Sequence, residues 1–118
     1  MDKDVTIARI ALAALHEMSQ ETGYVVHKEY DALEKDEEIA IDNVHFLLSD
    51  CTMEESAIHD RWVMRKIKDG WVYGSTVDGK AKAHFYLVPY ACLPQEERFR
   101  HALFKAIVFT LGHKCSLR

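Results

Sequence analysis

Apolar positions recur with helical spacing over most of the chain. Val5, Ala8, Leu12, Leu15 and Met18 predict one apolar stripe on a first helix, capped by Asp4 and running to about Gln20. Thr22-Gly23 reads as its C-terminal stop. Tyr24 to His27 is short and β-branched, either extended or a plain connector. Leu33, Ile41, Val44 and Leu48 share a face of a second helix over Asp31–Leu48, whose first half is acidic (Glu34 to Glu38). Acids near a helix N-terminus suit the dipole. Thr52-Met53-Glu54-Glu55 has the form of a capping box, which predicts a third helix from there to about Asp69. Ile58 and Trp62 lie four apart on one side of it, Val63 and Ile67 extend that surface, and Gly70 ends it.

The period then changes. Trp71 to Val77 and Lys82 to Val88 are β-prone, and Asp78-Gly79 between them is a hairpin-turn signal. In such a hairpin Trp71, Tyr73 and Ser75 share one face. Two strands alone are marginal in water, so the hairpin must lie on helices. Pro89 closes the second strand, and Pro89 with Tyr90 fixes the crossing to the last helix. Leu93-Pro94-Gln95-Glu96-Glu97 opens that helix, with Phe99, Ala102, Leu103, Ala106, Ile107 and Thr110 as its buried stripe and Gly112 as its stop. The predicted fold class is mainly α (α+β): about four helices packed with one small β-hairpin.

Composition narrows the function. The 118 residues suit one domain, and 48% hydrophobic with 29% charged residues is ordinary for a soluble globular chain. A net charge of −4 argues against a nucleic-acid polymer as partner. No apolar run approaches the roughly 20 residues that span a bilayer, and the N-terminus lacks the features of a signal peptide. The expectation is a cytoplasmic protein without a membrane partner. Cys51, Cys92 and Cys115 are widely spaced, so reduced thiols are expected.

Few residues carry an obvious chemistry. His59 and His84 have no nucleophile or paired carboxylate at a useful spacing, so structural hydrogen bonds are expected of both and no catalytic residue is assigned. His113 with Cys115 supplies only two ligands, and no metal site is assigned. Phosphate-cradling glycine loops and EF-hand loops are absent. Trp62 lies on an apolar helix face, which favours packing. Trp71 follows a helix-stopping glycine, where packing and a ligand or dimer platform are equally open. Arg65, Lys66 and Lys68 precede it, either meeting a phosphate or simply suiting the last helical turn.

The stretch His59 to Gly74, HDRWVMRKIKDGWVYG, resembles the ryanodine-receptor repeat, the RyR domain. Its elements here are His59, Asp60, Trp62, Lys66-Ile67, Gly70-Trp71 and Tyr73-Gly74. They continue in order through Asp78, Lys82, His84, Leu87-Val88-Pro89-Tyr90, Leu93-Pro94 and Glu97-Arg98. The resemblance covers about residues 52–112. The chain departs from it at Ala57, where asparagine is frequent, and at His84-Phe85, where His-Pro is frequent.

The resemblance implies a peripheral, non-pore module. Repeats of this kind come in tandem pairs in the large calcium-release channels. Short single-repeat proteins are typical of bacteria and their phages, and most have no assigned activity. A paired-repeat module of the channels is associated with adenine-nucleotide binding, with tryptophans stacking on the base, so Trp71 and Trp62 become candidates here. The pseudo-symmetric pairing implies a homodimer for a lone repeat. The sequence thus divides into an N-terminal helical extension of the same compact unit (1–50), an RyR-repeat-like domain (51–112) and a loose tail (113–118). The expected function is non-enzymatic binding or assembly, with a possible adenine nucleotide or similar planar anion at Trp71, Tyr73, Trp62, Lys66 and Arg65. The alternative is pure protein–protein interaction with a host or phage partner and no small-molecule ligand.

Overall fold

The computed structural model describes residues 2–27, 29–33 and 36–112. The expected loose tail, with His113 and Cys115, lies outside them. Four helices appear, α1 (Lys3–Thr22), α2 (Glu37–Leu48), α3 (Ala57–Lys68) and α4 (Gln95–Gly112), with two short strands between α3 and α4. The chain is mainly α with a small β element, as its periodicity predicts.

Asp2, rather than Asp4, caps α1, accepting the Asp4 amide at 2.8 Å. Gly23 ends it at φ 72°, donating its amide to the Ser19 carbonyl at 2.9 Å. The left-handed conformation there is strained for any residue with a Cβ. Ile7, Ala8, Ala11 and Leu15 are the buried face, and α1 packs on α2 and α4. The helices α1 and α4 run antiparallel. Lys3 Nζ reaches the Gly112 carbonyl at 3.0 Å, and Arg100 Nη1 donates to the Leu15 carbonyl at 3.1 Å and to Ser19 Oγ at 2.5 Å.

The second helix begins later than expected. Asp36 caps it by accepting the Ile39 amide at 2.9 Å, and described residues 29–33 are irregular. Tyr30, Ala32 and Leu33 are nevertheless buried. The expected capping box is not formed. Thr52 donates both its hydroxyl and its amide to Asp50 Oδ1, at 2.7 and 2.9 Å, which ties up the threonine in a tight turn. The helix α3 therefore starts after Ser56. Cys92 is free and exposed.

Gly70, at φ 90°, stops α3 as expected. The amides of Gly70 and Trp71 return to the Ile67 and Lys66 carbonyls at 2.9 and 2.8 Å. Ile67 is 58% exposed and does not join the core.

The expected antiparallel hairpin is corrected. Strand β1 (Val72–Tyr73) pairs in parallel with β2 (Ala83–His84), Val72 opposite Ala83 and Tyr73 opposite His84. Ala83 is bridged antiparallel to Asp78 on its other side. Asp78 Oδ1 accepts the amides of Lys80 and Ala81 at 3.0 and 3.2 Å, folding the turn onto its own side chain. The left-handed residue of this turn is Lys82, at φ 53°, not Gly79. Gly74 allows the close approach, since a Cβ there would stand 2.8 Å from Ala83 Cβ.

Past Pro89 a single 3-10 turn, Tyr90–Cys92, leads into α4. Tyr90 donates its hydroxyl to the Arg98 carbonyl at 2.8 Å, which fixes the crossing. The buried face of α4 is Glu97, Arg100, His101, Phe104, Val108, Phe109 and Gly112. The expected stripe is out of phase with it: Phe99, Ala106 and Thr110 are exposed. Choosing a face by hydrophobicity rejected the one that carries a glutamate, an arginine and a histidine.

Candidate functional site

The polar interior is built around Tyr30, in the connector between α1 and α2. Its hydroxyl lies 2.8 Å from both His59 Nδ1 and His101 Nε2. His59 Nε2 lies 2.8 Å from the Val88 carbonyl. A carbonyl only accepts, so His59 carries its proton on Nε2 and its Nδ1 accepts from Tyr30. The Tyr30 oxygen is then left to accept from His101 Nε2–H. One directional chain results, His101 to Tyr30 to His59 to Val88. The neighbouring Asp31 accepts the Trp62 indole N–H at 2.7 Å, and the Tyr30 ring meets Trp62 edge-on at 4.8 Å and Tyr86 at 4.9 Å.

Burial keeps these imidazoles neutral. It lowers His59, against the Val88 hydrogen bond and Asp60. It lowers His101 to about 3, helped by His59 and Arg100. It lowers His84 to about 4, helped by nearby His27 and Lys66 and opposed by Glu29 and Asp31. Glu97, 1% exposed, is pushed up to about 7 by burial, while the Tyr24 hydroxyl, donating at 3.2 Å, pulls it down. Tyr24 also bonds Tyr86, hydroxyl to hydroxyl at 3.0 Å. Every proton of the Tyr30 chain is committed to a neighbour within it.

The residues singled out from the sequence separate into two environments. Trp62 is 1% exposed and belongs to the core. Trp71 is half-buried, Arg65 is exposed, and Tyr73 is 60% exposed. Lys66 links the two indoles: its ammonium stands 4.7 Å from the Trp71 ring centre and 5.8 Å from that of Trp62. A cation on an indole face is favourable, by about 0.5–1 kcal/mol at an exposed site. These contacts do not extend to Arg65 or Tyr73.

Two clefts lie elsewhere. One of about 470 Å³ is lined by His16, Ser19, Gln20, Tyr24 and Arg100, among others. Another of about 390 Å³ is lined by Asp60, Val63, Met64, Leu87, Val88 and Pro89. Neither is lined by Trp71 or Tyr73. Among the described residues no three His, Cys, Asp or Glu side chains are grouped to hold a metal ion. No helix among them is long and apolar enough to cross a membrane.

The sequence reading missed Tyr30, Asp31, Glu97 and His101. Glu97, His101, Phe104 and Val108 do repeat at helical spacing, a signal that would have placed the two polar residues on the buried face. Tyr30 and Asp31 carry no comparable periodicity.

A helical domain with a small parallel β element, closed around a histidine–tyrosine network, is the class that the fold defines. The pattern of the RyR domain matches residues 47–111, more than half of the chain, and the chain belongs to the RyR domain family. His59, Trp62, His84 and His101 fall inside the matched segment, whereas Tyr30 and Asp31 come from outside it. No solved structure matches the chain.

Proposed function

We propose that this RyR-domain chain is a non-enzymatic, cytoplasmic binding module whose site is the surface around Trp71 and Lys66. Its ligand class is a planar anion such as an adenine nucleotide. The observation that carries this reading is the half-buried Trp71 with the Lys66 ammonium 4.7 Å from its ring centre. Stacking of a base on an indole contributes about 1–3 kcal/mol. Lys66, whose ammonium lies over the indole ring, supplies the counter-charge for a phosphate, and the exposed Arg65 and Tyr73 flank the site in sequence. Trp62, being buried, belongs to the core and does not stack on the ligand.

The test is tryptophan fluorescence during titration with ADP. Wild type is expected to show saturable quenching, and Trp71→Ala to abolish binding while Trp62 emission persists. Equal ADP affinity of Trp71→Ala and wild type, by calorimetry, would remove the site.

A second reading is assembly with a protein partner, a second copy included. The observation favouring it is that Met64, Ile67, Val72 and Tyr73 are large, exposed and close in sequence, the kind of apolar surface that marks an interface when contiguous. Sedimentation of wild type against Met64→Glu/Ile67→Glu decides this. A dimer that the double variant splits supports it, and a monomer at all concentrations counts against self-association.

A further inference from the structure

His84 is fully buried, and its two ring nitrogens are treated differently by the fold. Nδ1 accepts the Tyr86 amide at 2.9 Å. The ring is neutral at pH 7, so its single proton sits on Nε2. Among the described residues that Nε2 has no hydrogen-bond partner. Buried donors without acceptors are rare in native folds, and each asks for an explanation.

The surroundings explain why the protein itself does not fill the role. Trp62 lies edge-on at 5.2 Å, Phe85 is stacked at 5.2 Å, and His27 is edge-on at 5.6 Å. Aromatic faces are much weaker acceptors than an oxygen or a ring nitrogen. Lys66, which connects Trp62 to Trp71, only donates. Asp31 turns one carboxylate oxygen to the Trp62 indole, and neither it nor Glu29 reaches Nε2. The donor thus stands in a largely aromatic setting and meets no acceptor among the described residues. The parallel pairing of β1 with β2 sets this donor beside the proposed surface: Tyr73 is opposite His84, and Trp71 lies one residue before the ladder.

We propose that His84 Nε2–H is the specificity donor of the Trp71 site and takes an acceptor atom on the edge of the ligand's planar ring. This rests on the reading of Trp71 and Lys66 given above. It adds that the ligand is a heteroaromatic ring with an acceptor on its rim, carrying an anionic group for Lys66. A planar anion without a ring acceptor stacks on Trp71 but leaves the His84 donor unmet.

The test uses His84→Asn. Asparagine keeps an acceptor at the position of Nδ1 for the Tyr86 amide and deletes the Nε2 donor. ADP is the probe, with its 1-deaza, 3-deaza and 7-deaza analogues, each of which replaces one ring nitrogen by carbon. The expected result is roughly tenfold weaker ADP binding by His84→Asn. One deaza analogue should bind wild type with the same deficit and show no further loss on His84→Asn. In wild type, ADP should also shift the His84 Nε2 resonance in a ¹⁵N imidazole spectrum, a readout that stands even where His84→Asn does not fold. Unchanged ADP affinity in a folded His84→Asn, or an unmoved Nε2 resonance at saturation, overturns the role of His84. If Trp71→Ala still weakens binding in that case, the surface stands without it. Failure of wild type to bind ADP, or binding indifferent to Trp71→Ala, overturns both.

Discussion

Replacing Tyr30 by phenylalanine removes one oxygen atom and tests whether the connector completes the core. The hydroxyl serves His59 Nδ1 and His101 Nε2, both at 2.8 Å, and all three side chains are buried. Phenylalanine keeps the edge contacts to Trp62 and Tyr86, so the apolar contribution is preserved. What is lost is the partner of one buried acceptor and one buried donor. Each orphaned group costs about 1–3 kcal/mol, so Tyr30→Phe should destabilise by roughly 2–6 kcal/mol. That is a large share of the 5–15 kcal/mol typical of a domain. Urea unfolding at pH 7, followed by tryptophan emission, reads it directly. With an m-value of about 1–3 kcal/mol per molar, the midpoint should fall by about 1 M or more at an unchanged slope. His101→Leu provides the cycle: the double variant should cost less than the sum of the two single ones, because the partner is already gone. A Tyr30→Phe unfolding free energy within about 0.5 kcal/mol of wild type would mean that the hydroxyl does not bridge the histidines.

The histidines and Glu97 also give acid stability a definite sign. Between about pH 4.5 and 6.5 the unfolded chain protonates His84 and His101, which the fold keeps bare, and the burial of His59 acts in the same direction, while the fold holds a proton on Glu97 that the unfolded chain releases. The unfolded state therefore binds at least one proton more, and stability should fall on acidification by about 1.4 kcal/mol per pH unit or more. Denaturant midpoints from pH 7 down to 5 check this, and a flat profile contradicts it. Glu97→Gln removes the opposing proton and should steepen the same slope to about 2.7 kcal/mol per unit. Gly112→Ala puts a Cβ 2.6 Å from Leu48 Cδ2 and should cost about 1–3 kcal/mol by overpacking. Gly23→Ala meets nothing within 4 Å and should cost only the roughly 1 kcal/mol of left-handed strain. Thermal melts of the two variants should rank them in that order.

Much of the scaffold was legible because its causes are local. A glycine that must turn left-handed is written at Gly23 and Gly70. Acids at a helix start are written at Glu37 and Glu38, and Ile58 and Trp62 four apart announce a buried face. The candidate surface was legible for a similar reason, since Lys66 and Trp71 are joined across one helix end. Errors arose where a local signal had two outlets. Thr52 can cap a helix or close a turn on Asp50, and the turn prevailed. Asp78-Gly79 can make a two-residue hairpin, but Asp78 folded the chain over itself and β1 found β2 in parallel.

The sequence by itself determined four helices, their approximate stops and a short β element, because periodicity and backbone preference act over a few residues. Only the tertiary structure decided which face of α4 is buried. Glu97, Arg100 and His101 look solvent-facing until Tyr24, Ser19 and Tyr30 arrive from more than 70 residues away to satisfy them. A buried polar group is tolerable only with its partner in place, and partners that distant leave no mark in the local pattern.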